Sequence, residues 1–372
     1  MIYLDYSATT PVDEEVLDTY VKVCKNFIGN PNSLHEAGVD AKRLIDASTK
    51  QIADILGVKS SEVIYTSGAS EANNMAIKGI CLKYQNRGKH IITTTLEHSS
   101  VSEVMKYLEG LGFEIEYAKL DDNGVVDLEE LKKIIRDDTL LVSICSVNSE
   151  VGVKQPIEEI GLLLKDYPKL YFHSDITQSV GKEKINLTNV DLASFSGQKF
   201  YGMKGVGGLI KKESIIIEPL IHGGKSTTVF RSGTPATPLL VSLAKAMRLV
   251  YEDFDNRYNY VVELNKYLVD KLKSLDIDIN SNNECIPHIV NVSLRNIKSE
   301  SMLHALEKDK IYISTQTACS MGNYSLAVYS VTRDKDKAGR SIRISLSYKT
   351  TKEELDKFIS VFTKCLNELN FK

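Results

Sequence analysis

Val190-Asp191-Leu192-Ala193-Ser194-Phe195-Ser196-Gly197-Gln198-Lys199-Phe200-Tyr201-Gly202 is the stretch on which the reading of this chain turns. An apolar run ends in small residues and a lysine, and the glycine-rich Gly205-Val206-Gly207-Gly208-Leu209 follows. A lysine at the end of a buried strand, with hydroxyl and glycine neighbours leaving room beside its amine, is placed to condense with an aldehyde rather than to be solvated. Upstream, His173-Ser174-Asp175-Ile176-Thr177-Gln178 ends a second apolar stretch, Leu170-Tyr171-Phe172. Taken singly, Lys199 reads as a surface lysine and Asp175 as a helix cap. Taken together, an amine and an acid on neighbouring strand ends suit pyridoxal phosphate, the lysine as its Schiff-base partner and the aspartate as partner of the pyridinium nitrogen.

Around this stretch, from about residue 40 to 215, helical and strand patterns alternate. Ala41 to Leu56 reads as a helix, Val63 to Thr66 as a strand, Glu71 to Tyr84 as a helix and His90 to Thr94 as a strand. Helix Ser100 to Leu111, strand Phe113 to Tyr117, helix Leu128 to Ile135, strand Leu140 to Ser146, helix Ile157 to Lys165 and strands Leu170 to His173 and Leu192 to Ser196 continue the series. Such alternation predicts a mostly parallel sheet covered on both faces, with ligands at the carboxyl ends of its strands. The polar residues fall at those ends: Ser67-Gly68-Ala69-Ser70, Glu97-His98, Asn148-Ser149-Glu150, then Asp175 and Gln178. After Pro238 come helices Leu239 to Phe254 and Tyr258 to Leu275, strands Lys310 to Ile313, Ile289 to Leu294 and Ile342 to Leu346, and a closing helix Lys352 to Leu369. These read as a smaller α+β domain, which the N-terminal arm joins.

A chain of 372 residues is too long for one compact core, so one large and one small domain are expected. Net charge is −3 with no long basic or acidic block, so neither a nucleic-acid nor a membrane surface is expected. Met1 to Tyr6 lacks the basic start and apolar core of a signal peptide, and a soluble cytoplasmic protein is the expectation. The six cysteines are scattered without a Cys-x-x-Cys pair, which disfavours zinc or a disulfide framework. Five of them read as buried thiols. Cys319, in Ser314-Thr315-Gln316-Thr317-Ala318-Cys319-Ser320-Met321-Gly322-Asn323, sits in a small, polar loop where sulfur is accessible.

Each remaining feature has a bland alternative. Ser67 to Asn74 puts a small-residue turn at a helix start, suited to a phosphate or to an ordinary cap. His98 reads as a core histidine or as a group that stacks on a cofactor ring and moves protons. Arg343, alternating with apolar neighbours in Ser341 to Ser345, suits a substrate carboxylate or a structural ion pair. Gly224-Lys225-Ser226 lacks the glycine of a nucleotide phosphate loop, having Pro219 there, and Gly205-x-Gly207 has Ile210 where a dinucleotide fingerprint needs glycine. Asp121 to Gly124 reads as a hairpin-type turn.

Over nearly its whole length the chain resembles the cysteine desulfurases, in the class V aminotransferase group of fold type I pyridoxal phosphate enzymes. The resemblance is carried by Tyr3-Leu4-Asp5-Tyr6-Ser7-Ala8-Thr9-Thr10-Pro11, Gly29-Asn30-Pro31-Asn32-Ser33-Leu34-His35, Ser67 to Asn74, Glu97-His98, Val151 to Ile157, the Asp175 and Lys199 segments, Arg231-Ser232-Gly233-Thr234 and Ala318-Cys319. It implies an α/β fold with a large, mostly parallel, seven-stranded-type sheet domain over residues 13–250. Residues 1–12 and 251–372 would form the small α+β domain carrying the Cys319 loop. By position it implies that Lys199 holds the cofactor, Asp175 pairs with its pyridine nitrogen, Gln178 bonds its phenolic oxygen and His98 stacks on its ring. Ala69, Ser70, Ser196 and Gln198 would hold the phosphate, Thr234 would reach it from the other subunit of a homodimer, Asn148 would bind both cofactor and substrate, and Arg343 would join it in fixing the substrate carboxylate. The implied activity converts L-cysteine to L-alanine, leaving a persulfide on Cys319 for a sulfur-acceptor or scaffold protein, in supply of iron–sulfur clusters or thiolated biomolecules. A selenocysteine lyase or another class V enzyme of the same fold, and a degenerate sulfur-transfer scaffold, are the alternatives. The family pattern is altered at Gln198, usually His, at Lys225 to Phe230, and at Thr315-Gln316-Thr317.

Overall fold

The structure, a computed structural model, describes residues 1–315 and 324–370. The chain runs β1 (Ile2–Tyr3), α1 (Glu14–Asn26), α2 (Glu36–Leu56), β2 (Val63–Thr66), α3 (Ala69–Tyr84), β3 (His90–Thr93), α4 (Ser99–Glu109) and β4 (Glu114–Tyr117). It continues α5 (Leu128–Ile134), β5 (Thr139–Ser143), α6 (Ile157–Leu164), β6 (Tyr171–Asp175), β7 (Leu192–Ser196), β8 (Gly207–Lys211), α7 (Thr237–Glu252) and α8 (Phe254–Leu272). Last come β9 (Ile277–Ile279), β10 (Ile289–Leu294), α9 (Ser299–Glu307), β11 (Ile311–Tyr312), α10 (Leu326–Thr332), α11 (Lys335–Gly339), β12 (Ser341–Ser345) and α12 (Lys352–Asn370).

Seven strands form the central sheet in the order β2-β8-β7-β6-β5-β3-β4. Only β8 runs antiparallel to its neighbours, so the mostly parallel sheet foreseen from the alternation is present. Helices cover both faces, which is why β5 and β7 are buried at every residue. The edge strand β4 instead carries Glu114 and Glu116, charges that discourage pairing with another chain.

A second apolar cluster gathers Leu264, Leu268, Val290, Val292, Ile342, Ile344, Phe358 and Phe362 around the antiparallel strands β9, β10 and β12. The N-terminal arm belongs to it: β1 pairs in parallel with β11, and Ile2 and Leu4 are buried in this cluster. Helices α10 and α11 pack the other way, since Ala327, Val328 and Ala338 are buried with the central-sheet core.

Several boundaries differ from the sequence reading. α2 starts at Glu36 rather than Ala41, because His35 caps it, Nδ1 accepting from the Gly38 amide at 3.3 Å. β5 stops at Ser143 instead of Ser146, and β11 is shorter than Lys310 to Ile313. Helices α1, α9, α10 and α11 and strands β1, β8 and β9 have no counterpart among the elements expected from the sequence. Cys24, expected to be buried, lies exposed on α1. The Asp121 to Gly124 turn forms as read, with Gly124 at φ 84° and its amide donating to the Asp121 carbonyl. Among the described residues no helix is long and apolar enough to cross a membrane.

Candidate active site

The carboxyl ends of β2, β6 and β7 and the N-terminus of α3 open onto a cavity of about 570 Å³. Lys199 enters it from the single turn Gly197 to Lys199 that follows β7. Tyr201 holds that turn: it adopts the left-handed backbone (φ 63°), and its amide donates to Thr10 Oγ1 at 2.7 Å. The N-terminal arm thereby crosses the site, and the Lys199 amine donates to the carbonyls of Ser7 (2.8 Å) and Ala8 (2.6 Å). Burial, then the nearby Arg343 cation, pushes this amine down to about 8, although Asp175 and Asp5 oppose the shift.

Asp175 ends β6, buried in the cavity wall. Its Oδ2 accepts from Asn73 Nδ2 at 2.7 Å, and its Oδ1 from the Thr177 amide at 2.9 Å. Asn73 also donates to Ser100 Oγ, which bonds His98 Nδ1 at 2.9 Å. Because His98 Nδ1 accepts from the Ser100 amide, a neutral ring carries its proton on Nε2. Burial lowers the His98 pKa, with Lys199 adding to the shift and Asp175 and Glu150 opposing it. The adjacent Glu97 accepts from Thr94 Oγ1 and the Cys145 amide, and burial raises its carboxyl to about 8.

Opposite lies Arg343 on β12, almost wholly buried. Its Nη2 donates to Asp5 Oδ1 at 2.7 Å and its Nη1 to the Ser149 carbonyl at 2.8 Å. The Nε is buried without a hydrogen-bond partner among the described residues. The structural ion pair is therefore real, and these two acceptors leave the second N–H of each Nη unused in a residue that lines the cavity.

At the α3 end the chain makes a cradle. Gly68, at φ 151°, precedes the helix without a side-chain cap, leaving first-turn amides toward the cavity beside Ala69, Ser70, Ser196 and Gln198. A Cβ on Gly68 would lie 3.3 Å from Ser196 Oγ and fill that space. Glu71 ties the turn down, accepting from the Ser67 amide at 2.6 Å and from Arg231 Nε at 2.9 Å. An anion cradle at one end and a buried carboxylate at the other, with a free lysine amine between, fit pyridoxal phosphate.

Lys199, Asp175, Gln178, His98, Ala69, Ser70, Ser196, Gln198 and Arg343 thus share one cavity. Asn148 does not: its Nδ2 donates to the Leu96 carbonyl, and its Oδ1 accepts from the Glu150 and Val151 amides, behind the wall. Thr234 lines a neighbouring cleft with Arg231 and Ser67. Cys319 lies outside the described residues. Sequence reasoning missed Asn73 as a partner of Asp175, the Glu71–Arg231 pair, and the carbonyls of Ser7 and Ala8. Asn73 and Glu71 sit in the quoted Ser67 to Asn74 run, but nothing local announces partners so distant along the chain.

Residues 2–358 match the family model described as aminotransferase class-V. The chain is 38% identical to the cysteine desulfurase IscS of Dictyoglomus turgidum, covering 99% of this chain and 95% of that protein. It is 41% identical to a NifS/IcsS protein homolog of Lactobacillus delbrueckii subsp. bulgaricus, covering 97% and 96% respectively. Among solved structures, a NifS-like protein superposes with a TM-score of 0.93 at 36% identity over 100% of both chains. SspA in complex with cysteine superposes with a TM-score of 0.83 at 31% identity, over 94% of this chain and 100% of that one.

Proposed function

The chain belongs to the class-V aminotransferase family and within it to the cysteine desulfurases, and from that premise we propose that it takes sulfur from L-cysteine, releases L-alanine and carries the sulfur as a persulfide on Cys319. What supports this reading above all is one cavity holding a lysine amine of depressed pKa, a carboxylate fixed by Asn73, and the guanidinium of Arg343 in its wall.

Bound there, pyridoxal phosphate supplies an aldehyde for the amines of Lys199 and of the substrate, and an electron sink for the bonds at the substrate's α-carbon. Ala69, Ser70, Ser196 and Gln198 would hold its phosphate, Asp175 its ring nitrogen and Gln178 its phenolic oxygen. His98 would cover the ring and, with its proton on Nε2, act as a donor. Lys199 would take the α-proton once the substrate's amine has displaced it from the aldehyde, with the carbonyls of Ser7 and Ala8 within reach of its freed Nζ. Arg343, held by Asp5, would bind the substrate carboxylate through guanidinium N–H groups that Asp5 and the Ser149 carbonyl leave unused. Asn148 would brace the loop carrying Ser149, whose carbonyl positions Arg343. The Cys319 thiolate would attack the substrate sulfur, so that an S–S bond forms as the C–S bond breaks and the carbon skeleton, once protonated, leaves as alanine.

The same proposal includes a homodimer, with Thr234 reaching the phosphate of the second subunit. Ile28, Leu34 and Val229 are large apolar residues exposed on the single chain, and burial against a second copy would remove them from water. A sulfur-acceptor or scaffold protein would then discharge the persulfide. Cytoplasmic residence is favoured by the five described cysteines, all free thiols.

Single-turnover incubation of the holoenzyme with L-cysteine tests the activity. Alanine is expected in amounts equal to enzyme, with mass analysis showing one added sulfur on Cys319. Absence of alanine, or undiminished sulfur transfer by a Cys319→Ala variant, overturns the reading.

A further inference from the structure

Lys182 lies beneath the cavity, buried, and is not one of its lining residues. Its Nζ donates to Gln178 Oε1 at 2.8 Å. At the other end of the same amide, Gln178 Nε2 donates to the Ser7 carbonyl at 3.0 Å, the carbonyl that also receives the Lys199 amine. A carbonyl oxygen only accepts, so Gln178 must turn its NH2 toward Ser7 and its oxygen away from it. Lys182 is the donor that meets that oxygen. Without it the oxygen would be buried and unpaired, and the amide would reverse or swing away to recover a partner.

We propose that Lys182 is a positioning residue, which locks the amide of Gln178 so that its NH2 faces the cavity beside Lys199 and thereby sets the binding and electronic state of the pyridoxal phosphate held there. The inference rests on the reading of the cavity as a pyridoxal phosphate site. A lysine kept for packing alone would snorkel to solvent or meet a carboxylate. Lys182 does neither: among the described residues no acid lies within ion-pair distance, and its strongest charged neighbours are the cations Lys199 and Arg343. Burial and those two cations push its own ammonium down to about 7, so the fold tolerates an amine here at a cost. The Gln178 contact is what that cost secures.

The test is a double-mutant cycle on the full chain reconstituted with pyridoxal phosphate, comparing wild type, Lys182→Met, Gln178→Ala and the pair. The readouts are the visible absorption maximum of the bound cofactor and its dissociation constant, with thermal melting of the unloaded chain as a check on folding. Lys182→Met is expected to weaken cofactor binding about tenfold and to shift the absorption maximum, from the loss of the one donor that meets the buried Gln178 oxygen. In the Gln178→Ala background the same substitution is expected to change neither quantity further, and Lys182→Arg to restore most of both. If the methionine variant fails to fold, Lys182→Leu takes its place in the cycle. Wild-type binding and spectrum in the apolar variant, or effects that simply add in the pair, overturn the proposal. A wild-type chain that takes up no pyridoxal phosphate would instead overturn the functional reading beneath it.

Discussion

At the amine of Lys199 two effects compete. Burial and Arg343 favour the neutral form, Asp175 and Asp5 favour the charged one, and the first pair wins, bringing the group from 10.5 to about 8. The sign of the consequence follows: below pH 8 the amine is protonated and cannot attack an aldehyde, and above it the free base dominates. The rate at which the unloaded chain forms a yellow, borohydride-reducible complex with pyridoxal phosphate is therefore expected to rise with pH through a midpoint close to 8. A midpoint above 10 would show that the cavity does not desolvate this lysine. For stability the unfolded chain keeps its proton up to the ordinary value, so this residue makes folding more favourable as pH climbs from about 8 toward 10.5. Lys199, Asp175, His98 and Gln178 were legible in the sequence because each stands at or just past a strand end. Asn73 and Lys182 were not: the first meets Asp175 from 102 residues away, and the second touches no cavity surface. Their importance lies in what they hold, which no local pattern encodes.

Among elements, β8 is the instructive omission. Its Gly207 and Gly208 deprive it of the branched and aromatic residues by which a strand is usually seen. The reason for glycine is space: a Cβ on Gly207 would come within 2.3 Å of the Phe195 carbonyl and 2.8 Å of Gly68 Cα. Close approach of β8 to β7 is what brings Ser196 against Gly68 and closes the phosphate cradle. Gly207→Ala is expected to cost roughly 2 kcal/mol of stability, as overpacking in a filled core does, measured by denaturant unfolding. It should also loosen cofactor binding, while an alanine at Gly205, whose Cβ would meet nothing within 4 Å, is strained only by its φ of 81°. The helices show the complementary limit. Apolar periodicity located α2 and α4, but their true starts depend on His35 and His98 acting as caps, a role histidine seldom advertises.

For the molecule as a whole, alternation of strand and helix sufficed to foresee the central sheet and the edge where chemistry gathers. The quaternary prediction reaches further. If Thr234 serves the second subunit, chains carrying Lys199→Ala and chains carrying Thr234→Val should complement one another when mixed and refolded. Half the dimers would be mixed and each would hold one intact site, restoring activity to about a quarter of all sites beyond what either parent gives. Parents that fail to complement would place Thr234 in the site of its own chain.

The N-terminal arm adds a consequence in time. Ser7 receives the Lys199 amine, yet its own amide is anchored on Ser345 Oγ, 338 residues along the chain, and β1 waits for β11. At ribosomal speeds of roughly 10 residues per second, the arm leaves the exit tunnel about half a minute ahead of its anchors. The central sheet has time to assemble during synthesis, with the arm already tied to it at Thr10 and Ser7 by Gln198, Tyr201 and Gln178, and the pocket is completed only once β11 and β12 have followed. A nascent chain stalled before Ser345 would hold the sheet but not the finished site.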